Sequence, residues 1–302
     1  MSARRKVTVA TRKSALALAQ SRAWMAALRE QAQVDTEELL ITTTGDKIQD
    51  RPLNEVGGKG LFLKEIEEAL LAGQADLAIH SLKDMPAQLA NGLIIGCVPK
   101  REDPRDAIKT RSGCFFRDLP KGAKVGTSSL RRTVQLRAVR PDLEYVPLRG
   151  NIDTRLKRCE EGVIDAVVLA YAGLRRIGRG DEITELLSPD VCLPAVGQGA
   201  LGIEIRAEDE GILSLVAELE DMETAIATAS ERGVLGAVDG SCQVPVAAHA
   251  EHIGDELWLR ALLAEPDGSN LRREELRCPW PETLQRAQEA GAAVGRALRD
   301  KR

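Results

Sequence analysis

From residue 6 to residue 170 the chain alternates short apolar runs with amphipathic stretches of helical period. That alternation restricts it to α/β domains with mainly parallel sheets. Residues 6–10 read as a strand, and 14–30 as a helix carrying Leu18, Met25 and Leu28 on one stripe. Residues 61–71 form a second helical pattern, closed by Gly73. Strand patterns follow at 76–80 and 93–98, and the alternation resumes through 124–126, 129–138, 143–148, 153–161 and 165–170. After Asp221 the character changes. A helix over 223–238 leads to strands at 243–251, 256–264 and 271–277, with turns at Gly254-Asp255 and Pro266-Asp267-Gly268. A last helix over 282–298 closes this antiparallel meander into a small C-terminal α+β domain.

Two internal echoes suggest that the first two domains are built alike. Lys6-Val7-Thr8-Val9-Ala10-Thr11-Arg12-Lys13-Ser14 resembles Lys124-Val125-Gly126-Thr127-Ser128-Ser129-Leu130-Arg131-Arg132. Gly73-Gln74-Ala75-Asp76-Leu77-Ala78-Ile79 likewise resembles Gly162-Val163-Ile164-Asp165-Ala166-Val167-Val168. The charged, proline-bounded stretch 99–104 suits a hinge between them, and a second crossing is expected near 193–198.

Composition narrows the function. Apolar residues make up 43% of the 302, enough for several cores, but aromatics are only 3%. A net charge of −4 and few stacking rings argue against a nucleic-acid binder. No apolar stretch has the length of a signal peptide or a membrane span, so a soluble cytoplasmic protein is expected. Six scattered cysteines without a Cys-x-x-Cys pair, and three histidines, predict free thiols and no metal centre.

Arginines recur where strands turn into helices. Arg12 lies in Ala-Thr-Arg-Lys-Ser, Arg131 and Arg132 follow Gly-Thr-Ser-Ser, and Arg149 and Arg155 bracket Gly-Asn-Ile-Asp-Thr. In open α/β sheets such turns gather at the carboxyl edge, where helix N-termini attract anions. Arginine forks match carboxylates with two parallel bonds. Singly, each reads as a solvated charge; together they predict a cleft for a ligand with several carboxylates. Lys83 and Asp84 follow a strand in His-Ser-Leu-Lys-Asp-Met-Pro, at a cleft edge or as a surface ion pair. Lys59, in Gly-Gly-Lys-Gly, is the tip of a lid or of a flexible turn. Cys242, in Asp-Gly-Ser-Cys-Gln-Val-Pro, is a nucleophile, an attachment point or an ordinary thiol.

Eight segments, in order, carry a resemblance along nearly the whole chain. They are Ala10-Thr11-Arg12-Lys13-Ser14, Val56-Gly57-Gly58-Lys59-Gly60-Leu61-Phe62, His80-Ser81-Leu82-Lys83-Asp84-Met85-Pro86 and Arg101-Glu102-Asp103-Pro104-Arg105-Asp106-Ala107. Then come Gly126-Thr127-Ser128-Ser129-Leu130-Arg131-Arg132, Leu148-Arg149-Gly150-Asn151, Leu193-Pro194-Ala195-Val196-Gly197-Gln198-Gly199-Ala200 and Gly240-Ser241-Cys242-Gln243-Val244-Pro245. The sequence resembles the porphobilinogen deaminase family.

The resemblance implies two periplasmic-binding-protein-like domains, residues 1–99 with about 199–219 and residues 104–194, and a third over 222–302. It implies a monomeric transferase of haem biosynthesis with a dipyrromethane cofactor attached by thioether to Cys242. Four porphobilinogen molecules would be deaminated, joined head to tail and released by hydrolysis as hydroxymethylbilane, without nucleic acid or membrane as partner. Asp84 would be the catalytic carboxylate. Lys83, Thr127, Ser129, Arg131, Arg132 and Arg155 would hold the cofactor. Arg12, Ser14, Arg149, Arg176 and Gln198 would bind the incoming substrate, and Lys59 would belong to the lid. The chain departs from the family pattern at Ser241, at Glu55, and in the helix Glu231-Arg232-Gly233-Val234-Leu235, which lacks an aromatic. Outside the family, a carboxylate-binding solute receptor would suit the two-domain reading, but not the missing export signal.

Overall fold

The computed structural model describes residues 4–47, 62–238 and 244–301. It divides into two compact units, Met1–Arg101 with Ala200–Ile226, and Glu102–Gly199 with Ala227–Arg302. In chain order the first unit contains β1 (Lys6–Arg12), α1 (Ala15–Ala32), β2 (Asp35–Ile41), the short α2 (Thr44–Lys47), α3 (Lys64–Leu71), β3 (Leu77–Ser81), a 3₁₀ turn at Leu82–Asp84, and β4 (Leu93–Cys97). The second unit supplies β5 (Asp106–Thr110), β6 (Lys124–Gly126), α4 (Leu130–Val139), β7 (Glu144–Val146), α5 (Ile152–Glu160), β8 (Ala166–Ala170), α6 (Tyr171–Arg176) and β9 (Glu185–Leu186). The chain then returns to the first unit with β10 (Leu201–Arg206) and α7 (Glu210–Ala217). The division between units falls inside α8 (Met222–Ala237), which leads to β11 (Val246–Ile253), β12 (Glu256–Leu263), β13 (Arg272–Pro279) and α9 (Leu284–Asp300).

The two large sheets repeat one plan. The first has the order β2-β1-β3-β10-β4, with β1 parallel to β2 and β3, and β10 antiparallel to β3 and β4. The second has the order β7-β6-β8-β5-β9, with β6 parallel to β7 and β8, and β5 antiparallel to β8 and β9. In each, four strands share a direction and one opposes them. The echoed segments occupy equivalent places: β1 matches β6, and β3 matches β8. The opposed strand is in each case the first strand after the chain enters that unit from the other.

Alternating side chains put helices on both faces of each sheet. Val7 and Val9 of β1 pack with Trp24, Met25 and Leu28 of α1, whereas Ala10 packs with Ile66 and Leu70 of α3. In the second unit Val125, Ile108 and Val168 meet Leu136 of α4, while Val167 and Leu169 meet Leu156 of α5. Helix starts follow their caps. Ser14 accepts a hydrogen bond from the Ala17 amide, Ser129 from that of Arg132, and Asn151 from that of Thr154. Gly73, at φ +68°, ends the α3 region in the left-handed conformation that glycine adopts without strain.

The antiparallel sheet β11-β12-β13 lies in the second unit. Its Ala248, Leu257, Leu259 and Ala261 pack against Val234 of α8 and Val294 and Leu298 of α9. Its Ala247, Leu262 and Ala264 pack against Val134 and Leu193. Gly233 lets α8 and α9 approach closely. A Cβ there would lie 2.2 Å from the Gln288 carbonyl of α9, so the close helix crossing requires glycine. Strands β2, β5, β9 and β10 carry acids or are very short, which hides them from apolar periodicity. Among the described residues no helix is long and apolar enough to cross a membrane.

Candidate active site

In the first unit the ends of β1 and β3 and the start of α1 surround a small pocket. Its walls include Arg12, Ser14, Gln20, His80, Ser81 and Asp84. Asp84 is exposed, and its 3₁₀ turn is closed by a hydrogen bond from the Met85 amide to the Leu82 carbonyl. Lys83, beside it, is half-buried. Arg12 does not stand alone. Its Nη2 and Nε lie 2.5 and 3.2 Å from Asp46 Oδ1, and its guanidinium lies 4.1 Å over the Phe62 ring. Burial opposes the charge of Asp46, but bonds from Arg12 and Thr43 hold its carboxyl below the usual range. Gln20 donates to Ser81 Oγ at 2.9 Å, bracing α1 against the end of β3.

The second unit gathers its cations at the equivalent strand ends. Arg131 and Arg132, each 6% exposed, turn inward from the start of α4 onto Asp106, which is fully buried at the start of β5. Arg131 Nη1 and Arg132 Nη2 each lie 2.7 Å from that carboxylate. Gln198 Nε2 donates to it at 3.0 Å and to the Pro104 carbonyl at 2.6 Å. Burial works against the Asp106 charge, yet the two arginines hold its carboxyl far below the ordinary range. Thr127 is buried, and its Oγ1 accepts from the Ser129 amide.

Arg155, on α5, donates from Nε to the Gly150 carbonyl at 2.8 Å. Burial, and then the neighbouring charges of Arg132 and Arg149, push its guanidinium down to about 10. An arginine destabilised by other arginines marks a field that favours an added anion. Arg176, at the end of α6, donates to the Gly199 carbonyl at 2.6 Å, and burial lowers its guanidinium, with Glu102 offsetting part of this. The arginine turns therefore fit a ligand with several carboxylates, as a dipyrromethane bearing acetates and propionates would be.

Cys242 and Lys59 lie outside the described residues. The buried thiols elsewhere are poor nucleophiles. Burial pushes Cys159 up to about 11 and, with Asp106 nearby, Cys192 up to about 12, and Cys97 is raised further. The sequence reading missed Asp46, Asp106, Gln20 and Glu204. A lone acid in the apolar run Leu201-Gly202-Ile203-Glu204-Ile205 was the available signal for the last, and none marked Asp46 or Gln20.

Residues 7–214 match the family model described as porphobilinogen deaminase, dipyromethane cofactor binding domain, and residues 225–300 that of the porphobilinogen deaminase C-terminal domain. A porphobilinogen deaminase of Sorangium cellulosum is 56% identical over 295 residues, covering 97% of this chain and 98% of that one. One from Syntrophobacter fumaroxidans is 49% identical, covering 98% and 95%. Among solved structures, an arginine-specific periplasmic binding protein of Salmonella typhimurium is 17% identical, covers 73% of this chain and 94% of its own, and has a TM-score of 0.42.

Proposed function

The chain belongs to the porphobilinogen deaminase family, whose dipyrromethane-binding domain it contains, and on that premise we propose how its residues carry out porphobilinogen polymerisation. Four porphobilinogens are joined head to tail into the linear hydroxymethylbilane, which hydrolysis frees, and the Cys242 sulfur would hold the dipyrromethane as the fixed primer. When bound, the dipyrromethane supplies the first free pyrrole α-carbon. Arg131, Arg132, Arg155 and Lys83, with the Thr127 and Ser129 hydroxyls, hold its carboxylates. Arg12, Ser14, Arg149 and Arg176 would hold those of the incoming substrate, with Gln198 beside them and its amide also braced on Asp106. Residues 222–302, as a third domain, carry the cysteine. The protein works as a cytoplasmic monomer, with Lys59 on a lid.

The observation that carries this reading is the gathering of Arg131, Arg132, Arg149 and Arg155 at the strand-to-helix turns of the second unit, where burial first and then Arg132 and Arg149 lower the Arg155 guanidinium, because such a field is stabilised by a polycarboxylate ligand. Asp84 carries the chemistry. Its carboxylate accepts from pyrrole N–H groups and stabilises the cation left on the substrate methylene as ammonia departs. Because that charge exists only during reaction, its loss appears in turnover more than in binding.

Single-turnover kinetics on cofactor-loaded Asp84→Asn protein tests this. A loss on the order of 10² to 10³ in rate is expected. A wild-type rate would remove Asp84 from the mechanism.

A further inference from the structure

Strand β10 is hydrogen-bonded on both edges, and Leu201 to Ile205 are all buried. Glu204 is the one acid in that run and is fully buried. It sits opposite Ala78, whose face of the sheet packs against Ile66 and Leu70 of α3. Placing a carboxylate there carries a desolvation cost, and an apolar residue would serve stability better. Glu204 Oε2 lies 2.9 Å from His80 Nε2, while Oε1 is buried with no hydrogen-bond partner among the described residues. A half-satisfied buried carboxylate is a poor structural device. It is a good means of holding charge beside a reacting group.

His80 stands near the end of β3, only 6% exposed, and lines the same pocket as Asp84. A carboxylate can only accept, so its contact makes Nε2 the protonated nitrogen and leaves the Nδ1 lone pair as acceptor. Glu67 of α3 is the other charge that interacts with the ring, while Asp84 and Arg12 line the same pocket. The Glu67 carboxyl is raised, by burial first and also by Glu204. Each coupling must also remove a proton from the attacking α-carbon. That proton leaves only after the C–C bond has formed, and it needs an acceptor in the pocket.

We propose that His80, oriented and charge-balanced by Glu204, is the base that accepts the proton released when two pyrroles are joined. The substrate enters with a protonated aminomethyl group. The C–N bond breaks and ammonia leaves with the bonding pair. The α-carbon of the neighbouring pyrrole forms the C–C bond to the methylene. The α C–H electrons then return to that ring, and the proton passes to His80 Nδ1. The imidazolium, stabilised by Glu204, gives the proton to the departing ammonia, and ammonium is the product. The proposal rests on the pocket of Asp84 being where coupling occurs.

The test uses porphobilinogen deuterated at its free α-carbon, read over the second and later additions, in which the attacking α-carbon carries the deuterium, with cofactor loading checked by intact mass. Loaded His80→Asn should couple on the order of 10² to 10⁴ more slowly. It should also show a primary isotope effect, because proton removal then limits the rate. Glu204→Gln should show the same isotope effect with a smaller loss, and it carries the test if His80→Asn does not load. Asp84→Asn should be slow without an isotope effect. A loaded His80→Asn protein that is fast, or slow without an isotope effect, overturns the proposal, as does an isotope effect that arises in Asp84→Asn instead. Failure of the Asp84 reading is distinct, since it shows as a wild-type rate in Asp84→Asn whatever His80 does.

Discussion

Replacing Asp106 by Asn probes a heavily bonded, fully buried carboxylate in the second unit. Its two oxygens accept from Arg131, Arg132 and Gln198 at 2.7 to 3.2 Å, and the Cys192 thiol lies 3.2 Å away. With guanidinium charges roughly 4 Å away and an effective dielectric of about 20, each attraction amounts to about 4 kcal/mol before desolvation. Asn keeps one acceptor but turns an amide N–H₂ toward donors, leaving two buried cations without a counter-charge. The expected loss is about 3–5 kcal/mol, the usual result of removing one partner from a buried pair. The sign with pH follows from the lowered Asp106 carboxyl. Its stabilisation is fully present above the unfolded value of about 3.9 and is lost as pH falls through the depressed folded value. Urea unfolding of both proteins from about pH 7 to about pH 3 should therefore show a gap that narrows at the acid end. A gap below about 1 kcal/mol, or one independent of pH, would refute the charge argument.

Cys242→Ser should yield a folded protein of bare chain mass with no pyrrole colour reaction, and a positive reaction would move the attachment elsewhere. Arg155→Leu should slow cofactor loading of the apoprotein roughly 10- to 100-fold, the scale of one charged hydrogen-bonding partner, as read by intact mass against time. Arg149→Leu should load normally and elongate slowly. Equal loading and equal turnover in both variants would count against the carboxylate-binding role of these turns.

Much of the fold is legible in the chain because parallel strands and amphipathic helices leave local signatures. The caps Ser14 and Ser129, the stop at Gly73 and the repeat relating β1 to β6 and β3 to β8 all rest on residues within a few positions of one another. The arginine turns are equally local, since each follows a strand that ends where its helix begins. The opposed strands β5 and β10 were not legible. Each enters a sheet completed by another stretch of chain, and each carries an acid that breaks the apolar pattern.

By itself, then, the sequence determined the α/β class, the repeated domain plan, the family motifs and the set of cations at the strand ends. The partners of those cations were left to the tertiary structure. Asp106 meets Arg131 across 25 residues, Asp46 meets Arg12 across 34, and Glu204 meets His80 across 124. A buried charge must be matched by whatever the packing brings within hydrogen-bond reach. No periodicity or spacing encodes that meeting, because it depends on strand order and on the register in which β5 and β10 join their sheets.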